Sequence, residues 1–467
     1  MREIITIQVG QCGNQIGNNF WQQLLREHQD NPNDNDAMTA FFRTSSGNGS
    51  YSNVSNLKAR ALLIDMECGP LTETMRSPLG SLFDSTQFVM DVSGAGNNFA
   101  HGHYMYGPQY REKFEEGIRK NAEECDSLQT FLVTHSLGGG TGSGVGTYVV
   151  GLLDELFPEI YRFSACVFPS KDNDVVTSPY NSTLATNQLL EHADCVLPMN
   201  NSALQAFAQL EAQHRAATQS QQGGESAREK GFGDMNGVAA RMLCHLTASS
   251  RFHGEMNVDL NEICTNLIPY PRLKFLMSAL SPHRADSITA GNKKTSATNV
   301  TGDRSYLQRA FGDILRPYGQ LTAADPCTPG AITIASAFIA RGHVPLSQFL
   351  TCVTTAQQRS LVYPMWNQEA CKVGVCGTAA PGERLSVLGI YNSTAFGQVL
   401  STEHSRFSQL FRRKAMLHHY LEYCEIDDIA EAEVNVQSAC QDYHDIAAGN
   451  SGRFGDAKSG VPLFPAF

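Results

Sequence analysis

The stretch "THSLGGGTGSGVGTYVV", from Thr134 to Val150, decides the fold of the N-terminal half. Five of the seven residues from Gly138 to Gly144 are glycine, and no lysine follows them. The apolar run 128–133 before the loop predicts a buried strand, and apolar residues at helical spacing from Val145 to Leu156 predict a helix that packs one face inward. The loop therefore precedes a helix N-terminus, where free N–H groups and the helix dipole attract an anion.

The loop matches neither of the two common phosphate-binding signatures. A P-loop needs a lysine, and the frame G-x-G-x-x-G started at Gly138 ends on Ser143. A flexible linker is the other alternative, but a linker does not sit tightly between a strand and a well-patterned helix. Because glycine lets the backbone approach phosphate oxygens, we predict a phosphate cradle of a third type. Thr141 would add a hydroxyl donor there, and a side chain at Gly142 would occupy phosphate space.

Composition describes a globular protein with more than one core. A chain of 467 residues predicts two or three domains, and its formal net charge of −11 disfavours a nucleic-acid partner. No apolar run approaches the roughly 20 residues of a membrane span, and the N-terminus has no signal-peptide pattern, so we expect a cytosolic chain without a membrane partner. The 13 cysteines form no C-x-x-C pair and are expected in cores. Neither close histidine pair, 101/103 or 418/419, has the spacing of a metal site.

Alternating strands and helices in the N-terminal half predict a doubly wound parallel sheet, in which ligands bind at the carboxyl ends of the strands. Four candidate loops follow predicted strands: residues 11–12, 65–67, 94–98 and the glycine loop. Their convergence on one crevice is a stronger signal than any single loop. The predicted strands lie in the segments "EIITIQVG", "ARALLIDME", "QFVMDVSGAGNN", "LQTFLVTHS" and "RFSACVFPS".

The remaining chain predicts three further regions. We expect a nucleotide-binding domain at 1–200, a core helix with a mixed α/β intermediate domain at 201–396, a helical region at 397–446 and a disordered tail at 447–467. Alanine, leucine and alternating charge support the helical region. The tail is not rich in glutamate.

Several of these motifs resemble those of the tubulins. "GGGTGSG" at 138–144 is typical of the tubulin nucleotide signature, and the similarity runs from "VGQCGNQIG" at 9–17 to "FRRKAMLHHY" at 411–420. Within that family the chain is most similar to the epsilon class, although "MREI" is how beta-tubulins begin. The resemblance implies a tubulin-like fold, GTP or GDP with Mg²⁺, and partners in microtubules from the alpha and beta classes, with the delta class as a further candidate. Similarity to the epsilon class implies a location in the cytoskeleton, at centrosomes, centrioles, basal bodies and cilia.

The resemblance also implies which residues contact the nucleotide. Asn201 and Asn236 would recognise guanine, since a side-chain amide offers both donor and acceptor. Taken singly, each asparagine could equally be a turn former. Phe232 stands where most members have a stacking tyrosine, and Ser178 replaces a glutamate near the ribose. The full set of implied nucleotide contacts is Gln11, Cys12, Gln15, Ala95, Gly96, Asn97, Ser136, Gly139, Gly140, Thr141, Gly142, Asp174, Asn201, Phe232 and Asn236.

Two pairs of acidic residues are candidates for chemistry. Asp65 and Glu67 follow a strand and would hold Mg²⁺ directly or through water; ordinary surface acids are the alternative. "MNVDLNEICTNL" at 256–267 predicts a helix with Asp259 and Glu262 on a face separate from its apolar one. In the family, an acid at the position of Glu262 completes the site of the neighbouring subunit. A solvated acidic helix face is the alternative.

Three functional hypotheses follow. The first is a GTP-binding polymer subunit of the epsilon class, or of another class such as gamma or delta. The second is a self-contained nucleotide-dependent enzyme, which the missing P-loop lysine disfavours. The third is a structural capping subunit that does not hydrolyse its nucleotide. The polar segment 284–304 falls where tubulins touch the next protofilament. We expect this segment to be mobile in the free chain. We therefore expect that the chain alone does not assemble efficiently into microtubules.

Overall fold

A computed structural model describes residues 2–30, 35–44, 57–170, 175–219, 231–252, 254, 256–282 and 300–449. The strands, in chain order, are β1 Glu3–Val9, β2 Phe42–Thr44, β3 Leu57–Ala59, β4 Ala61–Asp65, β5 Phe88–Met90, β6 Leu128–Ser136, β7 Tyr161–Phe168, β8 Cys195–Asn200, β9 Met277–Leu280, β10 Thr333–Gly342, β11 Cys371–Cys376 and β12 Leu385–Ser393. The α-helices are α1 Gly10–Asp30, α2 Cys68–Arg76, α3 Gly107–Glu123, α4 Gly146–Leu156, α5 Ser178–His192, α6 Asn201–Gln219, α7 Gly231–Leu246, α8 Ala248–Arg251, α9 Leu260–Leu267, α10 Val300–Ile314, α11 Leu346–Arg359, α12 Phe396–Arg412 and α13 Ile426–Ala447.

The first sheet has six parallel strands in the order β5-β4-β1-β6-β7-β8. The chain adds strands on one side of β1, then crosses to β6 and continues on the other side. The carboxyl ends of β1 and β6 therefore flank the switch point at which ligands bind in doubly wound sheets. This architecture confirms the predicted fold class.

Both faces of the first sheet are covered, which explains its nearly continuous apolar strands. Alternate residues of β1 enter different cores: Ile5 and Ile7 pack in one, and Ile4 packs in the other. Helices α1 and α7 pack against each other, and α7 also contacts β10 and β12 of the second sheet. The helix α7 therefore joins the two sheets.

The second sheet is mixed, with the order β11-β10-β12-β9. β10 pairs parallel with β11 and antiparallel with β12, and β12 pairs antiparallel with β9. The helices α12 and α13 pack on each other and on α5 of the first layer. The mixed second domain and the C-terminal helices are thus as predicted.

Three sequence predictions differ from the structure in detail. β8 was not among the predicted strands; it contains Pro198 and lies at the sheet edge, where a residue without an N–H is tolerated. From the segment after β1 we predict a helix at about 13–28, whereas α1 begins at Gly10. The helix predicted at 256–267 begins only at Leu260.

Parts of two predicted segments lie outside the described residues. These are 283–299, which hold most of the expected lateral loop, and 450–467, which hold most of the expected tail. Among the helices that the structure describes, none combines the length and the apolar character that crossing a membrane requires.

Candidate nucleotide-binding site

The glycine loop leaves β6 and enters a short π-helical turn, Thr141–Val145, that continues into α4. The backbone N–H groups of residues 138–142 donate no hydrogen bond to the part of the chain that the structure describes. Five adjacent free donors at the start of a helix are suited to binding an anion. The local geometry thus provides what a phosphate group requires.

Close packing, and not only phosphate access, accounts for the glycines of the loop. A Cβ on Gly140 would lie 2.6 Å from the backbone nitrogen of Asn98, and a Cβ on Gly142 would lie 2.7 Å from the hydroxyl of Ser136. The reason we predicted for Gly142, that a side chain would occupy phosphate space, is therefore wrong: the Cβ would point into β6. At Gly139 the nearest atoms to a Cβ are 3.8 Å away. Gly139 therefore has room for a small side chain, unlike Gly140 and Gly142.

A buried histidine at the end of β6 forms a hydrogen bond to the glycine loop. The ring of His135 is fully buried, with Nδ1 2.8 Å from the carbonyl oxygen of Gly142 and Nε2 2.8 Å from the hydroxyl of Ser164. Burial lowers the pKa of His135 to about 4. The side chain is therefore neutral at physiological pH and fixes the loop through a hydrogen bond to the backbone.

The loop after β1 packs directly against the glycine loop. Gly10 has a φ of 74°, a backbone conformation that favours glycine. A Cβ added to Gly10 would lie only 3.1 Å from the backbone nitrogen of Gly142. Gln11 is exposed and Cys12 is half-buried. Burial raises the pKa of Cys12 to about 12, so this residue offers a neutral thiol.

The segment 94–98 forms the next wall. Gly94, Gly96 and Asn97 all have left-handed φ angles, of 64°, 56° and 52°. Ala95 is buried against the glycine loop, whereas Gly96 and Asn97 are exposed. The tight turn thus brings a second stretch of backbone beside the phosphate cradle.

The two candidate metal ligands lie at the end of β4. Asp65 is 2% exposed and its Oδ1 accepts a hydrogen bond from the Glu67 backbone N–H at 3.2 Å, while its Oδ2 has no partner among the described residues. Burial raises the pKa of Asp65 to about 7. Glu67 is exposed. An orphaned, buried carboxylate oxygen fits a divalent cation, which would supply the missing counter-charge.

The candidate base readers lie on three different elements. Asn236 on α7 donates to the side-chain oxygen of Gln15 on α1 at 3.3 Å, so these two amides are adjacent. Asn201 is half-buried at the carboxyl end of β8. Asp174 and the side chain of Phe232 lie outside the described residues.

One residue that the sequence analysis did not single out connects two of these walls. Asn181 on α5 is fully buried and donates to the carbonyl oxygens of Asn97 at 2.8 Å and Gly138 at 2.9 Å. Ser178, discussed only as a replacement near the ribose, places its hydroxyl 3.3 Å from the same Gly138 carbonyl. The available signal was the stretch "SPYNS", in which small polar residues begin a helix.

The structure does not bring Glu262 to these loops. Arg2, which precedes β1, forms an ion pair with Asp259, and Thr130 near the start of β6 donates to Asn261 at 3.4 Å. Helix α9 therefore lies at the amino ends of β1 and β6. Ser136 lies six residue steps along the extended strand from Thr130, which corresponds to about 20 Å.

The two acids of α9 differ in environment. Asp259 is the N-cap: one oxygen accepts from the Glu262 N–H at 2.6 Å and the other pairs with Arg2, so the predicted acidic face does not include it. The order Asp-x-x-Glu is the capping signature that could have indicated this role. The side chain of Glu262 is 40% exposed and lies 3.1 Å from the amine of Lys372.

A parallel sheet of this strand order, with an anion cradle and a buried acid at its switch point, defines a nucleotide-binding α/β protein. The model of the "Tubulin/FtsZ family, GTPase domain" matches residues 3–209, and that of the "Tubulin C-terminal domain" matches residues 271–404. The chain is 39% identical to the tubulin epsilon chain of Mus musculus, over 97% of each chain. It is 37% identical to the tubulin epsilon chain of Homo sapiens, over 96% of this chain and 97% of the relative.

A beta-tubulin is also similar: the tubulin beta chain of Porphyra purpurea is 36% identical over 93% of this chain and 91% of its own length. The chain belongs to the tubulin family, as a tubulin-family GTPase that is epsilon-like by homology. The GTPase domain implies GTP or GDP as the nucleotide, and the family implies a cytoskeletal protein that interacts with other tubulin subunits in microtubules.

Proposed function

We propose that this chain is an epsilon-class subunit of centriole and basal-body microtubules, in which GTP hydrolysis is completed between stacked subunits. Glu262 acts in trans, on the nucleotide of the neighbouring subunit, and Asp259 caps the helix that presents it. Alpha- and beta-tubulin are the partners, with delta-tubulin as a further candidate.

The position of Glu262 is the observation that carries this proposal. Its helix lies at the amino edge of the first sheet, about 20 Å along β6 from the phosphate cradle at the carboxyl edge. An acid so placed cannot orient water on the nucleotide of its own chain. A head-to-tail contact is heterologous and forms open filaments, and it joins opposite edges of successive subunits. Such a contact supports a role of Glu262 at the next nucleotide.

The test is mixed assembly of Glu262→Ala with wild-type partner tubulin, with phosphate release followed over time. The variant should keep its own nucleotide affinity, because the mutated side chain is remote from its own crevice. Hydrolysis in the neighbouring subunit should fall on the order of 10²-fold or more, the scale for losing a positioned general acid or base. Glu116→Ala, which removes an exposed acid from α3, is the matched control and should leave phosphate release unchanged.

A structural capping subunit that retains its nucleotide without hydrolysis is the second candidate. One observation favours it: the carboxylate of Glu262 is paired with Lys372 at 3.1 Å. Unchanged phosphate release with Glu262→Ala would reject action in trans and leave this candidate.

Mg²⁺ completes the proposed nucleotide site. Asp65 and Glu67 would hold it, with phosphate oxygens and water as the other ligands that Mg²⁺ prefers. The cation would neutralise charge on the phosphates, and the free N–H groups of the glycine loop would bind their oxygens. Extraction of nucleotide from the purified chain should yield GTP or GDP; adenine nucleotides alone, or none, would reject the proposal.

A further inference from the structure

The segment between the two C-terminal helices touches the nucleotide loops. We name residues 413–425, between α12 and α13, the C-terminal joint. Asn98 of the 94–98 wall donates from its side chain to the carbonyl oxygen of His419 at 2.8 Å. The hydroxyl of Tyr420 donates to the side-chain oxygen of Asn181 at 2.6 Å. The joint is thus bonded to two elements of the site.

The amide of Asn181 is fully used. Its nitrogen donates to the carbonyls of Asn97 and Gly138, and its oxygen accepts from the Phe99 N–H at 2.9 Å and from the Tyr420 hydroxyl. A primary amide has two donors and two acceptor sites, so each is occupied and the orientation of the amide is fixed by the network. Loss of the Tyr420 hydroxyl leaves one of the two acceptor sites of this buried amide oxygen unfilled; the hydroxyl itself also lies 3.3 Å from the carbonyl oxygen of Thr177.

The bond to Gly138 bears on the phosphate cradle through peptide geometry. In a trans peptide the C=O of one residue and the N–H of the next point in opposite directions. Asn181 holds the carbonyl of Gly138, so the N–H of Gly139 points away from α5. That N–H is one of the free donors of the loop. The direction of a phosphate-binding donor therefore depends on a side chain that Tyr420 in turn holds.

We propose that Tyr420 is a positioning residue for the nucleotide: through Asn181 it fixes the Gly138–Gly139 peptide and so sets the rate at which nucleotide dissociates. Tyr420 and Asn181 are both fully buried, so water does not replace their hydrogen bond. Because Asn181 also holds the carbonyl of Asn97, the same contact steadies both walls of the crevice. The inference needs only nucleotide binding, and it is independent of hydrolysis in trans.

A neighbouring tyrosine provides a matched control. The rings of Tyr180 and Tyr420 stack with centroids 4.9 Å apart, and the Tyr180 hydroxyl donates to the carbonyl of Ala415 at 2.9 Å. Burial raises the pKa of both hydroxyls, that of Tyr180 to about 12, so both are neutral donors. Each side chain makes a hydroxyl bond at the same joint, but only Tyr420 bonds to Asn181.

The experiment measures release of a fluorescent GDP analogue from the full-length, unassembled chain, chased with excess GDP at fixed Mg²⁺. Tyr420→Phe keeps the ring and should accelerate release about 2- to 10-fold, the equivalent of one net hydrogen bond. Tyr180→Phe should release at the wild-type rate. Wild-type release from Tyr420→Phe, or equal acceleration by both variants, would overturn the proposal.

Two further measurements test whether Tyr420 acts through Asn181. In an Asn181→Ser background, Tyr420→Phe should add no further acceleration; full additivity would show a different route and overturn the proposal. Amide hydrogen exchange of the C-terminal joint in the wild-type chain should slow when nucleotide binds, since coupling is reciprocal. An exchange rate that is the same with and without nucleotide would contradict the coupling, and this measurement needs no variant.

Discussion

The imidazole of His135 donates from Nδ1 to the carbonyl oxygen of Gly142, 2.8 Å away, and so ties the end of β6 to the glycine loop. The opposite ring nitrogen faces the hydroxyl of Ser164 at 2.8 Å and accepts from it. The neutral tautomer with the proton on Nδ1 satisfies both ring nitrogens. A second proton, on Nε2, is disfavoured because burial removes the hydration that stabilises the charged ring.

This contact predicts a loss of stability in mild acid. Burial lowers the pKa of His135 to about 4, from about 6.5 in the unfolded chain. The folded state then binds fewer protons, so its stability is full above pH 6.5 and falls as the pH drops from 6.5 towards 4. Between pH 7.5 and 5.0 this one group should cost about 2 kcal/mol, at about 1.4 kcal/mol per pH unit.

The measurement is urea unfolding at both pH values for the wild-type chain and for His135→Asn. Asparagine keeps a donor near Gly142 and does not titrate, so the variant should lose about 2 kcal/mol less than the wild-type chain. Other histidines whose pKa burial also lowers, such as the fully buried His245, contribute equally to both proteins. Equal losses would show that His135 does not titrate as described.

The fold was largely predictable because its strands and loops carry local signals. Continuous apolar runs marked five of the six strands of the first sheet, since both of its faces are buried. β8 was not predicted because Pro198 interrupts its apolar pattern. A proline is tolerated there because β8 lies at the edge of the sheet. The start of α9 was placed too early because apolar spacing alone does not reveal that Asp259 is a cap.

The site was predictable only in part, because some of its contacts join distant segments. The glycine loop and the acids after β4 directly follow strands of the parallel sheet. Their position in the sequence therefore predicts that they lie at the carboxyl edge of that sheet. The bond between Asn181 and Tyr420 links residues 239 positions apart. No spacing or periodicity in the sequence carries that information, and only the packing of α12 and α13 on α5 creates the contact.

Two glycines of the loop should respond differently to the same methyl group. Gly142→Ala places a Cβ 2.7 Å from the Ser136 hydroxyl and should destabilise the chain by about 1–3 kcal/mol, as overpacking does. Gly139→Ala meets nothing closer than 3.8 Å and should keep or slightly raise stability. Thermal unfolding without nucleotide measures the difference; equal midpoints would contradict the packing argument.

The orphaned oxygen of Asp65 predicts a Mg²⁺-dependent loss of affinity. Asp65→Asn keeps the size of the side chain but removes the charge that would bind the cation. Nucleotide affinity measured at increasing Mg²⁺ should therefore require at least about tenfold more Mg²⁺ in the variant. Asp126→Asn, an exposed acid before β6 at the opposite edge of the sheet, is the control and should titrate like wild type. Identical Mg²⁺ curves for the two variants would remove Asp65 from the metal site.

A buried ion-pair network should matter far more to stability than the half-buried pair of Glu262 and Lys372. Glu27 on α1 is 2% exposed and contacts Arg251 at 2.6 Å and Arg341 at 2.9 Å, so it joins α1, α8 and β10. Burial alone would raise the pKa of Glu27, but the two guanidinium groups lower it to about 2.

Glu27→Gln should destabilise the chain by about 3–5 kcal/mol, because it leaves two buried guanidinium groups without their counter-charge. Lys372→Met removes the partner of Glu262, whose side chain is 40% exposed, and should change stability by no more than about 1 kcal/mol. Urea unfolding at pH 7 and moderate salt compares the two variants directly. A small effect of Glu27→Gln would mean that the network reorganises without the carboxylate.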